Sequence, residues 1–223
     1  MPPRLILLGA LLMQAGSPAA QAPAPPPGFT VKPLVDNATL TAFRLKIAPG
    51  AQEQPHTHPY PMLVVVLTPS EMEMRNGESH KKGLRKPGDL EFINSGVSHN
   101  AGNIGATPLE ALVFAIKPDR VRGGAAPPRQ AVPGIIRKPL LDKSDLSVTR
   151  LEIDADVREP VHTHPYDLAV VPTMAGRLDV QVGDKKQVRA YATGEMIFIP
   201  RNVPHAVANG GTTSTRLLAI VIK

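Results

Sequence analysis

Over residues 41–47 the chain reads Thr-Ala-Phe-Arg-Leu-Lys-Ile, and over 147–153 it reads Ser-Val-Thr-Arg-Leu-Glu-Ile. Apolar and polar side chains take turns, the period of a β-strand with one face buried and one face wet. Residues 71–74 and 177–182 alternate in the same way, and each run leads into a glycine-containing turn, Asn76-Gly77 and Gly183-Asp184. Short apolar runs at 111–116 and 217–222 add further strands. No long stretch keeps a helical period without a proline breaking it. Many short strands separated by turns predict an all-β sandwich or barrel.

The pattern is written twice. At an offset of 106 residues, Lys32-Pro33-Leu34 falls on Lys138-Pro139-Leu140, Asp36 on Asp142, Arg44-Leu45 on Arg150-Leu151, Gly88 on Gly194, and Phe92-Ile93 on Phe198-Ile199. The match needs no gap between 31–117 and 137–223, so the chain is an internal duplication of one small fold. Each copy reads as a small β-barrel, at 25–117 and 137–223, and the pair as facing or stacked barrels. Residues 118–136, rich in Pro, Gly and Arg, read as a surface linker.

Composition changes this picture at the N-terminus. Arg4 precedes an apolar run over 5–13 and a small-residue stretch over 15–24, the order of a secretory signal peptide. The apolar run is too short to span a bilayer. Removal of residues 1–24 is expected to leave a periplasmic or secreted protein without a membrane span. With no cysteine, the chain has neither a disulfide framework nor a cysteine-linked lipid anchor. The net charge is +6, but Lys and Arg are scattered without a basic run, which argues against nucleic acid as a partner.

Candidate chemistry lies in the histidines. His-Thr-His-Pro-Tyr occurs at 56–60 and again at 162–166. On a strand, residues two apart share a face, so His56 and His58 present adjacent imidazoles, as do His162 and His164. Each copy holds one further histidine in a shared place, His99 and His205, after a turn that could return it to the barrel interior. Three neutral imidazoles suit Zn, Cu, Fe, Ni or Mn and leave positions for water or substrate. A lone histidine is usually satisfied by ordinary hydrogen bonds, but six of seven in two equally spaced triplets are poorly explained that way. His80, whose partner position is Lys186, reads as solvated.

Other residues carry two readings. Tyr60 and Tyr166 share strand parity with the histidines, so each phenol could donate to a metal-bound ligand or act as an acid; packing at the barrel mouth explains them equally. Glu53 and Glu159 could accept from an imidazole N–H, although a solvated turn carboxylate is the better reading. Arg44 and Arg150 are expected to face solvent, and Asn103 and Asn209 to cap turns.

These residues resemble the two motifs of the cupin superfamily, and the duplication resembles a bicupin. Gly50, His56 and His58 fit the first motif, and Gly88, Gly96, His99 and Asn103 the second, with Asn94 in the proline slot. In copy two, His162, His164, Gly194, Pro200, His205 and Asn209 fit, while Asp156 and Asn202 stand in glycine slots. Where the family often carries a glutamate ligand, this chain has Met62 or Leu63, and Leu168 or Ala169; Asp167 is near, but strand parity points it away unless Pro165 distorts the strand.

The resemblance implies two jelly-roll barrels, a divalent transition metal on each triplet, and a small-molecule ligand or substrate. It also implies a homodimer paired through barrel edges. Cupins resembling the three-histidine variant include thiol, diketone-cleaving and gentisate-type dioxygenases that hold iron. A metal-dependent enzyme acting on a small anionic or enolisable molecule follows, with oxidative cleavage ahead of isomerisation or hydrolysis. A non-catalytic metal- or ligand-binding bicupin is the alternative. Export favours Cu or Zn by affinity order, against the iron of those dioxygenases, so the metal stays open.

Overall fold

The computed structural model describes residues 25–118 and 131–223. The expected signal peptide and positions 119–130 of the expected linker lie outside the described residues. Copy one forms eight strands: β1 (Phe29–Asp36), β2 (Leu40–Ile47), β3 (Met62–Val66), β4 (Ser70–Asn76), β5 (Ser79–Arg85), β6 (Leu90–Ile93), β7 (His99–Asn103) and β8 (Leu109–Ile116). Copy two repeats them as β9 (Ile135–Asp142), β10 (Leu146–Ile153), β11 (Asp167–Pro172), β12 (Gly176–Val182), β13 (Lys185–Tyr191), β14 (Ile197–Ile199), β15 (His205–Asn209) and β16 (Thr215–Ile222). The described residues contain no helix, and so none long and apolar enough to cross a membrane.

Each copy folds into a five-stranded sheet, β1-β2-β8-β3-β6 or β9-β10-β16-β11-β14, with a three-stranded sheet, β5-β4-β7 or β13-β12-β15. All pairs are antiparallel, and together they make two tandem jelly-roll barrels. Strand β9 starts at Ile135, two residues inside the interval expected to be linker. The reason is register: Ile135 and Ile136 pair with Ile153 and Glu152 and complete the ladder along β10.

Within the two five-stranded sheets the strands β3, β8, β11 and β16 are buried on both faces, which explains why they read as apolar runs instead of alternating, while the edge strands β1 and β9 stay largely exposed. Leu63, Val65, Leu112, Phe114 and Ile116 join Ala169, Val171, Leu218, Ile220 and Ile222 in one buried cluster between the barrels. The intervening residues of copy one, among them Met62, Val64, Ala111 and Val113, line the interior of barrel one. The three-stranded sheets face water on one side, so β4 keeps its alternation, with Met72 and Met74 buried and Glu71 exposed.

Arg44 does not face solvent as expected. It shares parity with Leu40 and Ala42 on the inter-barrel face, where its Nη1 donates to Glu110 at 2.8 Å and its Nη2 to the Gly194 carbonyl of the other barrel at 2.8 Å. Thr39 Oγ1 donates across the same seam to Asp167 Oδ2 at 2.6 Å. Arg150 likewise shares parity with Leu146 and Val148 of that face; it is half-buried and its Nε lies 3.2 Å from Glu152.

Phe114 is fully buried in the shared cluster, so Phe114→Ala is expected to cost about 3–5 kcal/mol. Because that cluster draws on both barrels, the loss should shift a single cooperative transition in chemical denaturation. Two separated transitions, of which only one moves, would contradict a shared core.

Candidate metal centre

The site begins with backbone pairing. His56 N–H donates to the His99 carbonyl at 3.0 Å, and His99 N–H donates back to the His56 carbonyl at 2.9 Å. In barrel two, His162 and His205 exchange the same pair of bonds, each 2.9 Å. Two residues that exchange both bonds stand directly opposite with side chains on one face of the ladder. The imidazole centroids are accordingly 4.4 Å apart in both barrels.

The His-Thr-His segment is not the regular strand expected of it. Only His56 and His162 form bridges, and the chain bends at Pro59-Tyr60 and Pro165-Tyr166. The second histidine still arrives: Nε2 of His58 lies 3.0 Å from Nε2 of His56, and Nε2 of His164 lies 3.1 Å from that of His162. In each triplet the donor atoms all fall within 4.8 Å of one another. The structure thus brings together the six histidines singled out from the sequence, three in each barrel.

Two motif departures leave the turns intact. Gly50 and Gly96 have φ of 75° and 71°, and their counterparts Asp156 and Asn202 have φ of 59° and 58°. Asp and Asn enter this left-handed region more readily than other residues with a Cβ, so the loops keep their path in copy two.

The donor set fits a divalent transition metal. Nδ1 of His56, His99, His162 and His205 lies 2.9, 3.2, 2.8 and 2.8 Å from the carbonyl oxygens of Gln54, Val97, Pro160 and Val203. An N–H donated there turns the Nε2 lone pair into the cluster. Burial, then the charges of His56 and His99, push the His58 pKa down to about 4, and burial lowers that of His99. Both shifts favour the neutral ring, the form that binds a metal. Two nitrogens about 2.1 Å from one ion and at right angles stand about 3.0 Å apart, close to the spacing within each His-Thr-His pair. The glutamate slot is apolar: Met62 and Leu168 are buried inside the barrels, while Leu63 and Ala169 point into the inter-barrel cluster.

A cavity of about 610 Å³ opens beside the first triplet, walled by Phe43, Met62, Met72, Met74 and other apolar side chains, with Glu53 at its polar end. Tyr60 is not among its walls; it lines a separate cleft with Pro61, Asn94 and Asp145. The bend at Pro59 ends the strand parity that suggested a role for Tyr60, and Tyr166 sits in the equivalent bend. Neither phenol shares the strand face assumed for it.

The glutamates differ from the solvated turn reading. Glu53 Oε2 accepts from the Ala101 N–H at 3.1 Å, and burial raises its pKa against the opposing effects of His56 and that hydrogen bond. Glu159 is 5% exposed and takes Arg137 Nη2 at 2.8 Å. The Arg137 pair was missed from sequence, although Val31 aligned with Arg137 was the signal. Asn103 and Asn209 do hold turns: Nδ2 of each donates to the carbonyls of Ile47 and Thr107, or Ile153 and Thr213, and Oδ1 accepts from Gly105 or Gly211. His80 is exposed, with Nε2 2.8 Å from Glu73 Oε1. Asp167 is buried and serves the inter-barrel seam, accepting from Thr39 and from the Arg201 N–H at 2.9 Å.

A family model for the cupin domain matches residues 149–221, most of barrel two. The chain is a cupin-fold protein. Barrel one repeats barrel two in strand order and in the histidine triplet. No curated protein matches the sequence. Among solved structures, the chain is similar to AerE from Microcystis aeruginosa, at 18% identity, covering 88% of this chain and 93% of that one with a TM-score of 0.72. It is also similar to a cupin 2 conserved barrel domain protein from Leptotrichia buccalis, at 17% identity, with 90% and 92% covered and a TM-score of 0.63. A salicylate 1,2-dioxygenase from Pseudaminobacter salicylatoxidans matches at 12% identity, with 88% and 77% covered and a TM-score of 0.71. At such identities the likeness establishes the fold.

The depressed histidines set a pH dependence. Their imidazoles titrate near 6.5 in an unfolded chain, so below that pH the unfolded state binds more protons than the folded one. Stability of the metal-free protein is expected to fall as pH drops from about 6.5 to about 4. Denaturant midpoints across that window check this, and His58→Gln should flatten the slope. A wild-type profile as flat as the variant's would contradict it.

Proposed function

We propose that this cupin is a metal-dependent enzyme acting on a small anionic or enolisable molecule, with dioxygenase-like oxidative cleavage ahead of isomerisation or hydrolysis. One observation carries the proposal: three imidazoles converge at the wall of a largely apolar cavity of about 610 Å³. That size suits a small organic ligand. His56, His58 and His99 would hold the ion in barrel one, and His162, His164 and His205 in barrel two. An ion bound only by neutral ligands keeps its dipositive charge and supplies Lewis acidity to oxygen donors of a substrate.

The chain's own residues supply the rest. The carbonyls of Gln54 and Val97 hold the rings of His56 and His99 in one tautomer. The apolar walls exclude water and strengthen every charge interaction within. The salicylate dioxygenase has been solved with gentisate adducts, which at 12% identity supports a fold-level analogy to oxidative chemistry. The leader-like segment at 1–24 supports export as part of the same reading. Outside the cytoplasm the ion would be selected by affinity order, and Fe, Cu, Zn, Mn and Ni all remain candidates.

A second reading, a bicupin that binds metal or ligand without turnover, is favoured by the apolar residues in the glutamate slot. Elemental analysis of protein from its native compartment, followed by oxygen-uptake and product assays on a metabolite panel, separates the two. The enzyme reading expects bound transition metal and turnover that His58→Ala lowers by at least about a hundredfold. Metal without turnover would select the binding reading, and absence of any bindable transition metal would end both.

A further inference from the structure

Although duplicated, the barrels are not equivalent at the polar end of the site. Val31 on β1 pairs with Leu45, and Arg137 on β9 pairs with Leu151, so the two occupy one register position in their copies. Glu53 and Glu159 are likewise equivalent: each donates its backbone N–H to the strand bearing the third histidine, at the Ala101 or Val207 carbonyl, at 2.9 and 3.0 Å. In barrel two Arg137 Nη2 reaches Glu159 Oε1 at 2.8 Å, and the pair is largely buried. In barrel one the place of the guanidinium is taken by the short, apolar Val31. Among the described residues, Glu53 Oε1 accepts no hydrogen bond, and no Lys or Arg lines the cavity.

We infer that the organic ligand enters barrel one alone, and that Glu53 selects it by accepting a hydrogen bond from a hydroxyl group on an otherwise apolar molecule. This rests on the metal-centre reading for the ion that the ligand's oxygen meets. Glu53 Oε1 is not shut off from water, so an otherwise apolar ligand that fills the cavity must either donate to it or strip it of solvent at a cost. A hydroxyl on the ligand donates, whereas a carboxylate placed at this end, away from the ion, would be repelled by Glu53 and would find no Lys or Arg among the cavity walls. The class is therefore a phenol or enol of one or two rings without a distal negative charge. In barrel two the same hydroxyl would have to displace Arg137 from a buried ion pair, and removing one partner of such a pair is strongly unfavourable. Glu159 is thus already satisfied by its own chain.

Two neutral probes test this by titration calorimetry on the metal-loaded full chain: 2-methoxyphenol, which donates an O–H, and 1,2-dimethoxybenzene, which cannot. We expect one probe bound per chain and a preference of at least about tenfold for the phenol. Glu53→Gln keeps an oxygen for the Ala101 N–H but turns the other corner into a donor, and should shrink the preference to below about threefold. Val31→Arg installs the residue that barrel two already carries at this edge-strand position. It should weaken 2-methoxyphenol at least about tenfold with metal content unchanged. The double variant Arg137→Val/Glu159→Gln should bind like the wild type. Equal affinity for the two probes, no binding of either, two probes per chain, or wild-type binding by Val31→Arg would overturn the inference. Elemental analysis of the same samples keeps the two ideas apart: absence of metal defeats the metal-centre reading, while the hydroxyl preference is read independently from the two probes.

Discussion

The site depends on one reciprocal pair of backbone hydrogen bonds, between His56 and His99 in barrel one and between His162 and His205 in barrel two. The bonds extend a ladder that begins further back. Gly50 N–H donates to the Asn103 carbonyl, Asn103 N–H to Ala51, and Glu53 N–H to Ala101 before the histidines meet. The loop after β2 is thereby laid along β7 as an irregular extra strand. Antiparallel pairing then decides which side chains share a face. Two rings are placed by the backbone, and only His58 or His164 has to find the cluster through the chain that follows.

Rigidity beneath that ladder comes from the inter-barrel core. Each five-stranded sheet sends one set of side chains into its own barrel and the alternate set into the other barrel's sheet. The walls facing the ligand cavity are the reverse side of strands pinned by Phe114, Leu112 and their partners. A site built on doubly buried strands holds its geometry better than one carried by loops alone. Duplication supplies the complementary interface, because the same face of each copy packs on its twin.

The duplication, the strand-rich architecture and the histidine triplets were legible in the sequence because each leaves a repeating signal. A fixed offset, a period of two and a recurring pentapeptide survive without knowledge of tertiary contacts. What was not legible depended on contacts that parity cannot see. Arg44 alternates like a surface residue, yet the face it occupies is covered by the second barrel. Tyr60 keeps the parity of His56 and His58 only if the strand continues, and the bend at Pro59-Tyr60 ends it. Glu53 and Glu159 look identical in the repeat, but their environments diverge through Val31 and Arg137, more than twenty residues away along the chain and adjacent in space.

The central claim is that three histidine nitrogens in each barrel share one ion. X-ray absorption spectroscopy on the metal-loaded protein addresses it most directly, because imidazole rings leave a distinct multiple-scattering signature around the absorber. The account predicts an average of three imidazoles per ion, with nitrogen at about 2.0–2.2 Å and lighter oxygen ligands completing the shell. A spectrum dominated by carboxylate oxygen, or one with fewer than two imidazoles per ion, would mean that the triplets are not the metal centre.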